Sequence, residues 1–160
     1  MLRIASAALS EMIEHCRREF PNEACGYLAG RWEEMLITQA IPIKSVDPDP
    51  TFYEMDSAGQ LKTQKRLREK KMDHIAVYHS HVATEAQPSP RDRDRATAVQ
   101  EFFDGYYVIV TLKDSVPRAR AFKIRDGHVQ EEELVEVTPE GRHPRVREDQ
   151  KRDSRFRGND

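Results

Sequence analysis

The chain has 160 residues, of which 38% are hydrophobic and 34% are charged, and 26 basic against 28 acidic side chains give a net charge of -2. This length is typical of one domain, and such a chain can bury roughly 70% of its unfolded surface without disulfides or metal ions to hold it together. No apolar run approaches the ~20 residues that cross a membrane, and the slightly acidic balance makes a nucleic-acid partner unlikely on charge grounds.

The first half of the chain predicts two helices and two strands. Apolar residues recur every three or four positions over residues 7–20, as expected for an amphipathic helix. Residues 25–30 predict a strand with two glycines, and residues 35–43 predict a second strand. Asp56 is suited to cap a second helix that continues to Lys71.

The second half predicts four strands and a third helix. The strands are expected at residues 75–81, 106–112, 118–124 and 129–137, and Asp126-Gly127 predicts a hairpin turn before the last of them. Ser89-Pro90 is a strong helix start, and the helix is expected to continue to residue 103. Its buried residues are expected to be Ala96, Val99, Phe102 and Phe103.

These elements predict an α/β (α+β) domain over residues 1–137. A mixed, largely antiparallel sheet would have the helix at 7–20 on one side and the helix at 89–103 on another. Residues 138–160 contain seven basic and five acidic side chains, with only Val146 and Phe156 as sizeable apolar groups. Such a segment cannot bury enough surface to order itself, so we expect a disordered C-terminal tail.

The most informative segment runs from His79 to Asp92. His79 and His81 lie two residues apart on a predicted strand, so their side chains project from the same face, while Ser80 points away. Asp92 then falls in the first turn of the third helix. Two imidazoles and a carboxylate with one open position are typical of a catalytic zinc site.

The same residues also have a purely structural interpretation. Ser89 and Asp92 have the spacing of an N-terminal capping box, which is compatible with Asp92 also binding a metal. A water activated by the metal needs a nearby base. Asp94 and Glu101 are expected to point elsewhere, and spacing alone does not choose between Glu23 and Glu85.

The segment from His79 to Asp92 resembles the signature of the JAMM metallopeptidases, the metal-binding branch of the MPN-domain superfamily. Residues 22–30 resemble the segment that carries this family's glutamate, and the likeness extends over roughly residues 2–137. The resemblance implies a deaminase-like architecture and one zinc ion per chain on His79, His81 and Asp92. It also implies that Glu23 takes the proton of the water. Val82 departs from the family, many of whose members have proline there.

The resemblance further implies the reaction and the substrate. The family hydrolyses peptide or isopeptide bonds at the C-terminal tails of ubiquitin-like proteins, and Ser89 would help to stabilise the oxyanion. Short connections at 45–52 and 113–117 resemble the small prokaryotic members, some of which process sulfur-carrier proteins with a diglycine tail. Two alternatives stay open: a RadC-like protein associated with DNA repair, and a non-catalytic module that holds metal and binds carrier tails.

The remaining polar residues predict less chemistry. Cys16 and Cys25 do not form a disulfide framework, and with no secretion signal at the start of the chain we expect a cytoplasmic protein. Cys25 is expected to be a buried packing residue. The basic run at 62–71 predicts a solvated helix face rather than a nucleic-acid patch, with an acidic carrier as a third possibility. Four histidines are expected at the surface: His15, His74, His128 and His143.

Overall fold

A computed structural model describes residues 1–138, so the predicted tail beyond Thr138, including His143, lies outside the described residues. The described chain contains three helices and eight strands in one α+β arrangement. The helices are α1 (Ser6–Glu19), α2 (Ser57–Glu69) and α3 (Pro90–Ala98). The strands are β1 (Leu2–Ala5), β2 (Cys25–Arg31), β3 (Leu36–Ile43), β4 (Asp73–His81), β5 (Tyr106–Thr111), β6 (Arg118–Arg125), β7 (His128–Glu132) and β8 (Leu134–Val137).

All eight strands form one mixed sheet in the order β7-β6-β5-β4-β2-β3-β1-β8. Four of the seven pairings among these strands are antiparallel, which confirms the predicted sheet type. The parallel pairings are β1 with β3, β1 with β8, and β4 with β5. The buried strand β4 lies near the middle, so any site at its end rests on a rigid part of the sheet.

The alternation of side chains along β4 assigns the helices to opposite faces. Tyr78 packs with Met12 and Cys16 of α1 in the largest apolar cluster. On the other face, Val77 packs beside Leu67 of α2, and a separate cluster joins α3 to β5 and β6. The predicted separation of the first and third helices is therefore confirmed, and the face opposite α1 carries the residues of interest.

The third helix is shorter than predicted. It ends at Ala98 rather than residue 103, and its cap residue Val99 has left the helical region with φ -110° and ψ 8°. Turns then carry the chain to β5, so Val99 and Phe102 are exposed instead of buried, with Phe102 at 90%. Phe103 folds back and stacks on His74, with the ring centroids 4.4 Å apart.

The predicted strand at 129–137 is also wrong as a single element. Glu133 divides it into β7, which pairs with β6, and β8, which pairs in parallel with β1. Because one residue joins strands at opposite ends of the sheet order, the sheet must curl until its edges meet. The Leu2 amide donates to the Glu133 carbonyl at this junction. The sequence prediction also missed β1, whose four residues precede the first helix.

Two of the histidines predicted at the surface are covered by other side chains, His15 fully and His74 in part. His15 is buried on α1 and lies 2.6 Å from the Tyr78 hydroxyl through its Nδ1. His74 is stacked between the rings of Tyr27 and Phe103. Burial lowers the pKa of His15 and lowers that of His74 to about 4, so both imidazoles are neutral near pH 7. His128 is exposed as predicted.

Within residues 1–138, no helix combines the length and the apolarity that a membrane crossing requires.

Candidate metal centre

Two rigid elements bring His79, His81 and Asp92 together. His79 and His81 lie at the end of β4, with Ser80 between them. Both histidine side chains are buried on the face opposite α1. The chain then makes a loop and starts α3 with Ser89 at the N-cap and Asp92 three residues later. The β4–α3 connection therefore places two imidazoles and a carboxylate at one point, as the spacing predicts.

The three candidate ligand atoms are closely grouped. The two histidine Nε2 atoms are 3.1 Å apart, and Asp92 Oδ2 lies 3.3 Å from His79 Nε2 and 3.1 Å from His81 Nε2. Bonds of about 2.0–2.1 Å in a tetrahedral site imply ligand atoms about 3.3 Å from each other. The observed triangle therefore has the size that a zinc ion requires.

Hydrogen bonds fix which nitrogen of His81 faces the other ligands. Its Nδ1 lies 2.7 Å from the carbonyl oxygen of Glu85, which only an N–H group can satisfy. His81 therefore offers Nε2, inside the triangle, as its metal-binding nitrogen. Metal-binding histidines commonly donate their second N–H group to a carbonyl in this way.

His79 is held by packing rather than by such a bond. Its ring is 2% exposed and lies 4.7 Å, between centroids, from the ring of Tyr53. Its Nδ1 atom is buried without a hydrogen-bond partner in the described structure. Burial lowers the pKa of His79, so the imidazole is in the neutral form that binds metals.

Asp92 is both a helix-capping residue and a candidate ligand. Its Oδ2 accepts a hydrogen bond from the Ser89 backbone amide at 2.9 Å, and its own amide donates to Ser89 Oγ at 3.1 Å. Burial acts to raise the pKa of Asp92, but hydrogen bonds from His79 and His81 bring it well below its usual range. The carboxylate is therefore ionised, as a metal ligand must be.

Glu23 lies beside this triangle although it comes from a different part of the chain. It precedes β2, which pairs with β4 in a register that places Cys25 opposite His79. Glu23 is 7% exposed and lines the same cavity, of about 210 Å³, as His81, Ser89 and Asp92. Burial raises the pKa of Glu23 to about 7, an effect that the nearby His81 partly offsets.

Glu85, the other candidate base, is placed differently. Its backbone carbonyl contacts His81, but its side chain is exposed and forms a 2.7 Å ion pair with Lys113. That ion pair keeps the pKa of Glu85 below its ordinary value. The structure therefore brings the Glu85 backbone to the site and turns its carboxylate away.

Two further residues of the site were missed by the sequence analysis. Arg95 lines the cavity one helical turn after Asp92, with its guanidinium 4.4 Å from the centroid of the Tyr53 ring. Helical periodicity could have placed Arg95 on the same face as Asp92. Tyr53 lies outside the helices and strands, so no periodic signal could have found it.

The donor set suits zinc and does not suit calcium or magnesium. Two neutral imidazoles and one carboxylate are typical zinc ligands, whereas calcium and magnesium prefer oxygen ligands. The described residues contain one group of three or more His, Cys, Asp or Glu residues that could hold a metal ion, and it is this triangle. The two free cysteines are buried elsewhere.

The sequence is similar to known proteins over most of its length. Residues 5–125 match the family model described as prokaryotic homologs of the JAB domain. The chain is 38% identical over 133 residues to the CysO-cysteine peptidase of Mycobacterium bovis, a match that covers 82% of this chain and 88% of the relative. It is 29% identical over 118 residues to the desampylase of Haloferax volcanii, covering 71% of this chain and 81% of that one.

A third relative and two solved structures are also similar to this chain. The chain is 39% identical over 93 residues to a probable TtuB-protein conjugate cleaving protease of Thermus thermophilus, covering 58% of this chain and 61% of the relative. The solution structure of a Desulfitobacterium hafniense protein matches with a TM-score of 0.77 and 31% identity, over 86% of this chain and 94% of that one. A JAB1/MPN domain protein from Archaeoglobus fulgidus matches the fold with a TM-score of 0.55 and 19% identity, over 85% and 99%.

Proposed function

The chain belongs to the family of prokaryotic homologues of the JAB domain, and we propose that it is a zinc-dependent peptidase. Its substrate would be a ubiquitin-like or sulfur-carrier protein, cleaved at the C-terminal diglycine tail. The single observation that carries this proposal is the triangle of His79, His81 and Asp92, with sides of 3.1–3.3 Å, of which His81 and Asp92 line one cavity with Glu23. The three ligands would hold one zinc ion, and the buried free cysteines agree with a cytoplasmic location.

Zinc bound there would act as a Lewis acid that polarises the scissile carbonyl and makes a water molecule more acidic. We assign Glu23, which lines the cavity beside His81 and Asp92, to take the proton from that water. Burial gives Glu23 a pKa of about 7 in the metal-free protein, and a bound zinc ion would lower it, so the carboxylate could accept a proton at neutral pH and pass it to the leaving amine. The exposed, ion-paired carboxylate of Glu85 has neither the position nor the environment for this role.

Ser89 would stabilise the negative charge that develops on the carbonyl oxygen. Its Oγ accepts the Asp92 amide, so the hydroxyl proton remains available for a second partner. Ser89 lines the cavity beside Asp92, within a rigid helix start. A donor fixed in place in this way costs little reorganisation when the charge develops.

The dimensions of the site favour a glycine-rich tail. The cavity of about 210 Å³ is small, and glycine residues bring no side chains into it. A larger groove of about 760 Å³ shares with this cavity the side chains of Phe52, Tyr53, Arg91 and Arg95. An extended chain passing from the groove to the metal centre would therefore need its narrowest residues next to the bond that is cleaved.

The relatives support the same class of substrate. One is named a CysO-cysteine peptidase, another a probable TtuB-protein conjugate cleaving protease and a third a desampylase. The test is to incubate the zinc-loaded protein with a carrier that continues past Gly-Gly by one cysteine or by a short peptide, and to follow release by mass spectrometry. Carrier fusions ending in Ala-Ala serve as the control. We expect the Gly-Gly fusions to be cleaved directly after the second glycine and the Ala-Ala fusions to remain intact.

The same experiment separates the alternatives. A zinc-loaded protein that binds the carrier without cleaving it would be a non-catalytic tail-binding module. A protein that neither binds nor cleaves any carrier fusion would contradict the proposal and bring back the RadC-like alternative. Hydrolysis is favoured over both alternatives because one relative is named a peptidase and another a desampylase.

A further inference from the structure

The back of the metal-bearing strand holds a buried hydroxyl group that the proposed reaction does not use. Ser80 lies between His79 and His81 but points to the opposite face of β4, and it is completely buried. Its hydroxyl contacts the thiol of Cys16 on α1. A buried hydroxyl is expected to have a specific partner, so the question is what Ser80 holds.

The main partner of Ser80 is the backbone next to Glu23. The amide N–H of Ala24 donates to Ser80 Oγ at 2.8 Å, and the amide N–H of Ser80 donates to the Ala24 carbonyl at 3.1 Å. In an ordinary antiparallel pair, both bonds join backbone groups. Here a side-chain oxygen takes the place of one backbone acceptor, at the residue just before β2 begins.

A third bond, together with these two, holds the backbone at Glu23 and Ala24. On the other side, the Glu23 amide donates to the carbonyl of Asp49 at 2.9 Å. Ala24 is 2% exposed, so water cannot easily replace Ser80 as the acceptor for its amide. Without the hydroxyl, Ala24 would be joined to the metal-bearing strand by a single backbone bond, at the residue before the pairing of β2 with β4 begins.

We infer that Ser80 is a positioning residue for Glu23: its hydroxyl fixes the backbone at Ala24 and thereby holds the Glu23 carboxylate beside His81 and Asp92. This inference rests on the proposed function. It links the two halves of the site through one residue, because the strand that carries both histidines also carries the anchor for the base. The Cys16 thiol, packed behind the hydroxyl, limits the directions that Ser80 Oγ can adopt.

The matched control is a buried hydroxyl of similar environment that is remote from Glu23. Thr63 on the inner face of α2 is buried, and its hydroxyl donates to the Gly59 carbonyl at 2.8 Å. Thr63→Val removes that bond, and Ser80→Ala removes the bond to Ala24. Each change removes one buried hydroxyl contact. Only Ser80→Ala removes a contact to the backbone next to Glu23.

The experiment measures kcat, KM and zinc content on a carrier fusion that the wild-type protein cleaves. Ser80→Ala is expected to lower kcat by about 10- to 100-fold with KM and zinc content unchanged, because a misplaced catalytic group costs rate rather than binding. Ser80→Thr, which keeps the hydroxyl, is expected to restore most of the rate. Thr63→Val is expected to retain the wild-type kcat.

A double-variant cycle tests whether the effect passes through Glu23. In a Glu23→Gln background, Ser80→Ala should cause no further loss, since the group that it positions is already absent. An equal loss in both backgrounds, or loss of zinc in Ser80→Ala, would overturn the inference. If Ser80→Ala does not fold, Ser80→Cys replaces it, because sulfur is a weak acceptor of similar size. A Cys variant with the kcat of Ser80→Thr would also overturn it.

The two proposals fail in different ways. A wild-type protein without turnover contradicts the proposed function. The role of Ser80 in positioning Glu23 for catalysis is then contradicted as well. A wild-type protein that cleaves the fusion, with Ser80→Ala equally fast, contradicts only the role of Ser80. Hydrogen exchange of the Ala24 amide tests the anchor itself, and it should accelerate in Ser80→Ala but not in Thr63→Val.

Discussion

Among the proposed ligands, His81 has the best-defined orientation, since the Glu85 carbonyl holds its Nδ1 and leaves Nε2 free to bind a metal. His81→Ala should therefore lose the metal, because two remaining protein ligands make a weak site. Elemental analysis of purified protein should find about one zinc per wild-type chain. His128→Ala, at an exposed position on β7, should retain that zinc. A full zinc content in His81→Ala would show that the ligands are wrong.

Glu23 and Glu85 form a natural pair of test positions at the same site. Glu23→Gln should keep the fold and the zinc, because glutamine is nearly isosteric and Glu23 is not assigned to the metal. Turnover of a carrier fusion should fall by at least ~100-fold, the lower end of what acid–base catalysis contributes. Glu85→Gln should leave turnover nearly unchanged. The opposite pattern would transfer the role of the base to Glu85.

The buried position of Glu23 also has a consequence for the stability of the metal-free protein. Its pKa is about 7 in the folded state, against an ordinary value of 4.5. Between these values, the folded protein keeps a proton that the unfolded chain has lost, so the free energy of unfolding falls as pH rises from about 4.5 to 7.

Glu23→Gln removes this dependence. In the presence of a chelator, urea unfolding should find the variant more stable than wild type by a few kcal/mol at pH 8, on the order expected for a shift of this size. The difference should disappear near pH 4.5, where the carboxyl is protonated in both states. An advantage of the same size at both pH values would contradict this account of Glu23.

At the scale of elements, β2 packs tightly against Tyr78 of β4 at Gly26. A Cβ on Gly26 would lie 2.5 Å from the Ile41 carbonyl oxygen and 2.5 Å from the Tyr78 ring. The ring cannot easily move, because it is fully buried and its hydroxyl is held by His15. Gly26→Ala should therefore cost about 1–3 kcal/mol or more, as measured by urea unfolding.

Gly127→Ala provides the matched comparison for backbone strain without steric overlap. Gly127 has φ +78°, and no atom lies within 4 Å of a Cβ built there. Alanine in that conformation should cost about 1–2 kcal/mol from backbone strain alone. A Gly26→Ala protein as stable as wild type would mean that β2 and Tyr78 can separate at little cost.

The elements that were predicted well are those whose signals are local. Asp56 caps α2 through the Gly59 amide, and Ser89 caps α3, as the sequence indicates. The histidines and Asp92 meet because strand and helix periodicities fix their directions. The end of α3 and the division of residues 129–137 were not predictable, because Phe103 stacks on His74 and β8 pairs with β1. Both contacts join parts of the chain that are distant in sequence.

For the molecule as a whole, β8 forms one edge of the sheet and ends at Val137, the last residue of the predicted domain. It pairs with β1 along Leu134–Val137, Val137 is buried, and the Val137 carbonyl accepts a hydrogen bond from the hydroxyl of Ser6.

The position of Glu23 beside the candidate ligands depends on the long-range pairing of β2 with β4, which residue spacing in the sequence could not predict. This explains why the ligands followed from the sequence while the choice of base did not.

Deletion of residues 138–160 tests where the folded unit ends. The composition of this segment, with seven basic and five acidic side chains and two sizeable apolar ones, gives it little surface to bury. We therefore expect the shortened protein to keep its melting temperature, its zinc and its cleavage of the carrier fusion. Deletion of residues 134–160 also removes β8 and exposes β1, so it should lower the melting temperature by many degrees or prevent folding. Equal destabilisation by both deletions would place the folded boundary beyond Val137 and would mean that the tail packs on the domain.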